Sequence, residues 1–288
     1  RSVTDYNLPD ALNYRVCDEW KAISSAKMIE RAENIALGLY SLGLRKGDRA
    51  AILAPNSPEW TLSDAGCQFA GVIDVPIYTT LAPDTVRYII DDCAAHVIFL
   101  QDIETYERLM PALDDSDSLE RFVLFDAKGT NGKNILSIAD LEASGADLRL
   151  KKPDLSLELR SIIASHDIAT LIYTSGTTGE PKGVMLTHAN LVSNVIDASE
   201  KYGFTGTDIS LSVLPLSHVF ERTGMYVYIM YGMRVYFAES IDKVPDNLEE
   251  VRQTLFIGGP RTCEKVFERA RVKAAQAGRR SEVVFDWV

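Results

Sequence analysis

The chain has 288 residues, 46% of them hydrophobic and 25% charged, a globular balance that can fill one large core or two smaller ones. With 30 Lys and Arg against 41 Asp and Glu, the net charge is −11, which repels polyanions and argues against nonspecific binding of nucleic acid or an anionic membrane. Four scattered cysteines (Cys17, Cys67, Cys93, Cys263), with no CxxC pair and no clustered histidines, read as buried thiols of a reducing compartment rather than disulfides or a zinc site.

No apolar run flanked by basic residues opens the chain, and its most apolar stretch, Gly224 to Phe237, is too short to span a bilayer and contains Arg234. The expectation is a soluble, cytoplasmic protein in at most transient peripheral contact with a membrane. Because the sequence opens on Arg1 rather than Met, residues before it are expected.

In chain order, Met28, Ile29, Ala32, Ile35, Leu39 and Leu42 recur at helical spacing and predict a helix over 27–42, stopped by Gly43. Ala50 to Ala54 reads as a strand, and Ser57-Pro58 supplies a cap and a first-turn proline for a helix ending near Gly71. Strands at 72–75, 96–100 and 122–125 alternate with helices at 83–93 and 104–113. From Ala127 to Ser165 the chain is polar and weakly periodic, the expected boundary between units 1–165 and 166–288. Beyond it come strands at 169–173 and 184–186, a helix capped by Thr187 and a strand at 209–214. A helix at 218–231, strands at 234–238 and 254–257, and a helix at 261–277 follow. Strands separated by helices predict an α/β fold with two mostly parallel sheets covered by helices on both faces.

Between two of those strands lies "YTSGTTGEPKG", Tyr173 to Gly183. Gly176, Gly179 and Gly183 let backbone N–H groups approach a phosphate, Thr174, Ser175, Thr177 and Thr178 add hydroxyls able to reach a phosphate or magnesium, and Lys182 adds a mobile positive charge. The P-loop pattern would place Ser or Thr directly after the lysine; here Gly183 follows, so γ-phosphoryl transfer is not implied. Turn chemistry alone would account for a bare Gly/Ser/Thr loop, but not for lysine and proline at these fixed offsets.

"YTSGTTGEPKGVMLTH" resembles the phosphate-binding signature of the adenylate-forming superfamily, which comprises acyl-CoA synthetases, luciferases and peptide-synthetase adenylation domains. "GLRKGDRAAILAPNSPEW" and "FAGVIDVPIYTTLAPDTVRYIIDDCAAHVIF" resemble its first α/β unit. "LPLSHVFERTGMYVYIMYGMRVYFAE", "VPDNLEEVRQTLFIGGPRTCEKVFERA" and the terminal "FDW" are similar to its long-chain fatty acyl-CoA synthetase branch. The resemblance covers nearly everything from about Trp20 onward. It implies an AMP-forming ligase: a fatty-acid carboxylate attacks the α-phosphorus of ATP, pyrophosphate leaves, and coenzyme A thiolate displaces AMP. Magnesium is the implied metal.

By that resemblance Thr174, Ser175, Gly176, Thr177, Thr178, Gly179 and Lys182 contact phosphate, Thr174 is a magnesium contact, and Lys182 and His218 are the catalytic candidates. His218 matches a position on the acyl-carboxylate side, although one histidine at a strand–helix junction is more often a cap or a satisfied core residue. Phe220, Tyr226, Tyr228, Met230 and Tyr231 read mostly as core, with one face able to wall an acyl tunnel. In some relatives an aromatic four positions after the histidine gates that tunnel; here the position is Arg222, and Glu221-Arg222 read as a local ion pair or surface charges. His96 and His166 read as structural, and His188 as packing under the second strand. Arg261 after Pro260 reads equally well as facing the cleft or as packing.

The superfamily's Tyr-Gly-x-Thr-Glu segment, ribose-binding aspartate, hinge residue and adenylation lysine do not occur in the sequence; Lys265 and Lys273 lie in the wrong context to replace the last. The chain is therefore expected to be the front part of a longer synthetase, without its C-terminal domain and unable to complete adenylation alone. An adenylating ligase for another acid and a non-catalytic nucleotide- or acyl-binding module are the alternatives, separated by whether the reading frame continues into those segments.

Overall fold

The computed structural model describes residues 5–128, 132, 134–174 and 179–276. Twelve strands of two to seven residues and ten helices of seven or more succeed one another among them. The strands are β1 (Leu12–Val16), β2 (Glu19–Ile23), β3 (Arg49–Leu53), β4 (Ile73–Pro76), β5 (Val97–Asp102), β6 (Arg121–Asp126), β7 (Ile135–Ser137), β8 (Ile168–Thr174), β9 (Lys182–Thr187), β10 (Ile209–Ser212), β11 (Arg234–Phe237) and β12 (Leu255–Phe256). The helices are α1 (Ser25–Ser41), α2 (Pro58–Ala70), α3 (Pro83–Cys93), α4 (Ile103–Leu113), α5 (Ile138–Lys151), α6 (Leu155–Ser161), α7 (His188–Lys201), α8 (Val219–Tyr231), α9 (Val244–Val251) and α10 (Pro260–Gln276).

Two sheets result, one of seven strands in the order β7-β6-β5-β3-β4-β8-β9 and one of five in the order β12-β10-β11-β1-β2. All neighbours are parallel except β8 with β9 and β1 with β2. The sheets do not divide at the expected boundary near residue 165. β8 and β9 complete the seven-stranded sheet beside β4, while β1 and β2 belong to the five-stranded one.

Alternation along the strands builds two cores, as a sheet covered on both faces requires. Ala50 and Ile52 of β3, with Val97 and Phe99 of β5, join Ile35, Trp60, Leu62 and Leu141 from α1, α2 and α5; that same cluster extends to Tyr228, Val235 and Phe237 beside the second sheet. Ala51, Leu53, Ile98 and Leu100 face the other way, onto Val86, Ile90, Leu109 and Leu113 of α3 and α4. The first cluster therefore cements the two sheets together.

Local chemistry sets the helix ends. Ser57 accepts from the Trp60 N–H and Pro58 begins α2, while Gly71 closes it in the left-handed conformation at φ 69°. Thr187 and Asn190 form a reciprocal capping box at the start of α7. Segment 127–165, expected to be irregular, contains β7, α5 and α6. Packing supplies what its pattern lacks: Gly38 and Gly145 let α1 and α5 cross so closely that a Cβ on Gly145 would stand 1.8 Å from the Asn34 carbonyl oxygen.

Candidate functional site

The β8–β9 hairpin carries the glycine- and hydroxyl-rich loop, and Thr174 and Lys182 are the register pair at its mouth. Lys182 thus begins β9, two residues earlier than the sequence suggested, with an exposed side chain across from the exposed Thr174. Ser175, Gly176, Thr177 and Thr178 lie outside the described residues. Gly179 sits at φ 96°, a conformation that favours glycine. Tyr173 anchors the base of the loop: its phenol donates to Asp92 Oδ2 at 2.5 Å, and burial, with that bond, pushes its ionisation far upward. Gly183 is pressed against the same ring, where a Cβ would come within 3.1 Å.

His218 is the N-cap of α8, and its Nδ1 accepts the Phe220 N–H at 3.2 Å. An accepting Nδ1 is unprotonated, so the neutral ring carries its proton on Nε2, a donor available to an oxygen of a ligand. The capping role and an exposed ring therefore coexist in one residue. His188, the first residue of α7, is half-buried, and burial lowers its pKa. His166 lies between Ser165 and Asp167, whose carbonyls accept the Ala189 and His188 N–H groups at the start of α7, and His96 lies beside Glu120 at 3.5 Å.

Thr174 and α8 share a groove. A cavity of about 650 Å³ is bounded by Ile172, Thr174 and Val184 of the hairpin, Leu191 of α7, and Phe220 and Thr223 of α8. A second, of about 310 Å³, shares Ala198, Phe220 and Thr223 with it and runs on past Tyr228 to Leu255 and Ile257. The result is a mainly apolar trench, with Asn190, Asn194, Asp197 and Lys201 of α7 also in its wall, that starts beside the glycine- and hydroxyl-rich loop. On the other side, the carboxyl ends of β3, β10 and β11 enclose a cleft of about 640 Å³ with Asn56, Tyr78, Thr79, Gln101 and Ser217 in its walls.

Glu221 and Arg222 are neither an ion pair with each other nor surface charges; both are fully buried and turn to different partners. The Glu221 carboxylate accepts the Ser212 hydroxyl at 2.7 Å, and burial pushes its pKa up to about 7. Arg222 Nη2 bonds Asp64 Oδ1 at 2.6 Å and Asp74 Oδ1 at 2.7 Å, Nη1 bonds Thr170 Oγ1 at 2.8 Å, and Nε bonds the Tyr226 hydroxyl at 2.8 Å. Tyr226 donates in turn to Asp64 Oδ2 at 2.8 Å. Burial also raises Asp74 to about 7, against the opposing pull of Arg222. Sequence reasoning missed this cluster because Asp64, Asp74 and Arg222 sit on three separate elements; three charged residues in otherwise apolar windows were the available signal.

Cys67 and Cys93 are buried as expected, whereas Cys17 and Cys263 are exposed, and all four thiols are free. No helix of the described residues is long and apolar enough to cross a membrane.

Residues 5–285 match the family model described as AMP-binding enzyme. Over 287 residues the chain is 32% identical to Long-chain-fatty-acid--CoA ligase ACSBG1 of Rattus norvegicus, covering 95% of this chain and 39% of that protein. It is 32% identical over 231 residues to Long chain acyl-CoA synthetase 6, peroxisomal, of Arabidopsis thaliana, covering 80% of this chain and 33% of that one. Among solved structures, the inhibitor-bound N-terminal domain of FACL13 from Mycobacterium tuberculosis aligns with a TM-score of 0.72 at 25% identity, over 92% of this chain and 63% of that one. The A-PCP didomain of a carboxylic acid reductase from Segniliparus rugosus in complex with AMP aligns with a TM-score of 0.80 over 98% of this chain and 45% of that chain; at 19% identity it bears on fold alone. This chain thus spans well under half the length of the curated relatives it matches. Its match to the family model from residue 5 to residue 285 makes it a member of the AMP-binding enzyme family.

Proposed function

We propose that this chain is the phosphate- and acyl-binding portion of an AMP-forming long-chain fatty acid–CoA ligase. One observation carries the reading: Thr174, the register partner of Lys182 at the mouth of the loop, lines the same cavity as Phe220 and Thr223. A carboxylate with a long apolar tail is the substrate that needs both surfaces at once, one for charge and one for chain. The superfamily's chemistry then fits: carboxylate oxygen attacks the α-phosphorus of ATP, the bond to the bridging oxygen breaks, and pyrophosphate leaves.

In this reading the loop glycines and hydroxyls, Ser175 to Gly179, hold the leaving phosphates, and Lys182 neutralises their charge as it grows on pyrophosphate. His218 presents its Nε2–H to the carboxylate or to a phosphoryl oxygen and helps to hold the two anions together. The Thr174 hydroxyl is a hard oxygen ligand suited to magnesium. Among the described residues no group of three or more acidic, His or Cys side chains could hold a metal ion. When bound, magnesium would reduce the repulsion between triphosphate and carboxylate. Coenzyme A, as the second substrate, would take the acyl group as a thioester.

Calorimetric titration of the 288-residue chain with magnesium–ATP and with magnesium–pyrophosphate tests the grip. Both should bind, and Lys182→Ala should weaken both by about 10- to 100-fold, the worth of one charge-assisted contact. Affinity unchanged by Lys182→Ala would overturn the assignment. Fatty-acid-dependent ATP–pyrophosphate exchange by the protein that carries this chain tests the ligase reading itself.

A further inference from the structure

The hairpin that carries the loop lies as close along β4 as other neighbours in the sheet do to each other, yet at that seam it joins the sheet through the fewest backbone register pairs. β4 and β8 share one register pair, Asp74 with Thr170, whereas every other neighbouring pair in the seven-stranded sheet shares three or more. The Arg222 cluster lies on that seam. Thr170 Oγ1, which takes Arg222 Nη1, itself donates to the Asp74 carbonyl at 3.0 Å. From the other side, Gln68 Nε2 reaches Asp74 Oδ1 at 3.0 Å and the Ala169 carbonyl at 3.2 Å.

One guanidinium therefore touches α2, β4 and β8 from a position on α8, a single turn after His218. On β8, Thr170 stands one four-residue step before Thr174. Arg222, Asp74 and Thr170 have no exposed surface and Asp64 has 2%, so water does not compete for these bonds. Buried ion clusters of this kind add little net stability compared with apolar packing of the same volume. What a planar guanidinium with a fixed set of donors adds is direction, because its partners must meet it in one plane. A leucine at position 222 could fill the space and leave α8 free to slide.

We propose that Arg222, with Asp64 and Asp74, is the positioning element of the site, locking the phosphate-loop hairpin to the helix that His218 caps. Arg222 touches no substrate. It acts by fixing the spacing between the anion grip and the acyl trench across a seam where backbone register pairs are fewest. The functional half of this proposal rests on the phosphate-grip reading above.

Hydrogen–deuterium exchange of the 288-residue chain tests it. Three variants are compared with wild type: Arg222→Met, the milder Tyr226→Phe, which removes one hydroxyl from the cluster, and Arg31→Met. Arg31 is a control, since it joins Glu59 and Glu142 in the α1–α2–α5 layer away from the seam. In Arg222→Met, amides of β8, β9 and α8 should exchange about tenfold faster or more, with β3, β5 and β6 unchanged. Tyr226→Phe should accelerate the same segments by a smaller factor, so the test survives if Arg222→Met does not fold. Arg31→Met should leave them alone.

Magnesium–pyrophosphate titration of the same proteins gives the second readout, with weaker binding expected for Arg222→Met and Tyr226→Phe but not for Arg31→Met. Uniform acceleration along the whole chain, or unchanged exchange in β8 and β9, overturns the positioning role. Localised acceleration in a wild-type chain that binds no magnesium–pyrophosphate overturns the phosphate-grip reading instead, and the functional half of the proposal with it.

Discussion

Asn56 holds the backbone of Leu216: its Oδ1 accepts the Leu216 N–H at 2.9 Å, while its Nδ2 donates to the Leu214 carbonyl at 2.7 Å and to Ser212 Oγ at 3.1 Å. Asn56 follows β3 in the first sheet, and the segment it grips runs from β10 in the second sheet to His218. A single amide thus fixes the approach to α8 from across the inter-sheet cleft. Asn56→Ala should cost about 2–3 kcal/mol by leaving a backbone N–H and a carbonyl without partners. Chemical denaturation measures the loss, and Asn56→Asp should restore only the accepting half.

Glu221 gives the protein a pH signature. Its folded pKa of about 7 lies above the usual carboxylate value of 4.5, so the protonated form is favoured in the fold. That contribution is fully present below about pH 4.5 and is lost as pH rises through about 7. Glu221→Gln keeps an acceptor for the Ser212 hydroxyl and carries no charge. The variant should be more stable than wild type by about 2–3 kcal/mol near pH 8 and should lose that advantage near pH 4.5. Melting curves at several pH values check it. The remaining rise toward acid in the variant should come from Asp74, raised in the same sense by burial.

Gly145→Ala sets two effects against each other. Alanine in a helix interior gains about 1 kcal/mol over glycine, but overpacking a tight contact costs about 1–3 kcal/mol. With the Asn34 carbonyl oxygen 1.8 Å from the new carbon, the contact wins and the variant should be destabilised. Gly203→Ala, where nothing lies within 4 Å, should be close to neutral. Comparing the two denaturation midpoints isolates the helix crossing.

The proposed acyl trench predicts a chain-length dependence. Each buried methylene contributes about 0.8 kcal/mol, so fatty-acid affinity should climb with length until the trench is full. Thr223 stands where both cavities meet. Thr223→Trp should weaken binding of an acid of about sixteen carbons by tenfold or more while sparing one of about four. Equal loss for both lengths would place the acid elsewhere.

Much of the architecture could be read locally. Ser57-Pro58, Thr187 and Gly71 mark helix ends through the hydrogen bonds and backbone conformations they supply, and all three act that way in the fold. Elements held by distant partners were not legible. β1 (Leu-Asn-Tyr-Arg-Val) and most of β2 (Glu-Trp-Lys-Ala-Ile) do alternate, but the hairpin is short and its parallel neighbour β11 lies more than 200 residues away, while α5 owes its place to a glycine-lined crossing with α1 rather than to its own periodicity. Thr174 and Lys182 stand exposed and paired at the mouth of the β8–β9 hairpin, and Ser175 to Thr178 fall outside the described residues. Arg222 was misread because charge within a short window signals surface, and only the carboxylates of Asp64 and Asp74, 158 and 148 residues away, make its burial tolerable.

The placement of β1 also dictates an order of events during synthesis. Leu12 pairs with Val235, and the Asn13 amide reaches the Val235 carbonyl across 222 residues of chain. On a ribosome adding about 5–20 residues per second, the N-terminal hairpin waits roughly 10–40 s for its neighbour to emerge. The seven-stranded sheet, complete by residue 187, is free to form in that interval. Until β11 arrives, β1 is paired with β2 on one side and lacks its neighbour on the other, an open edge on a newborn chain.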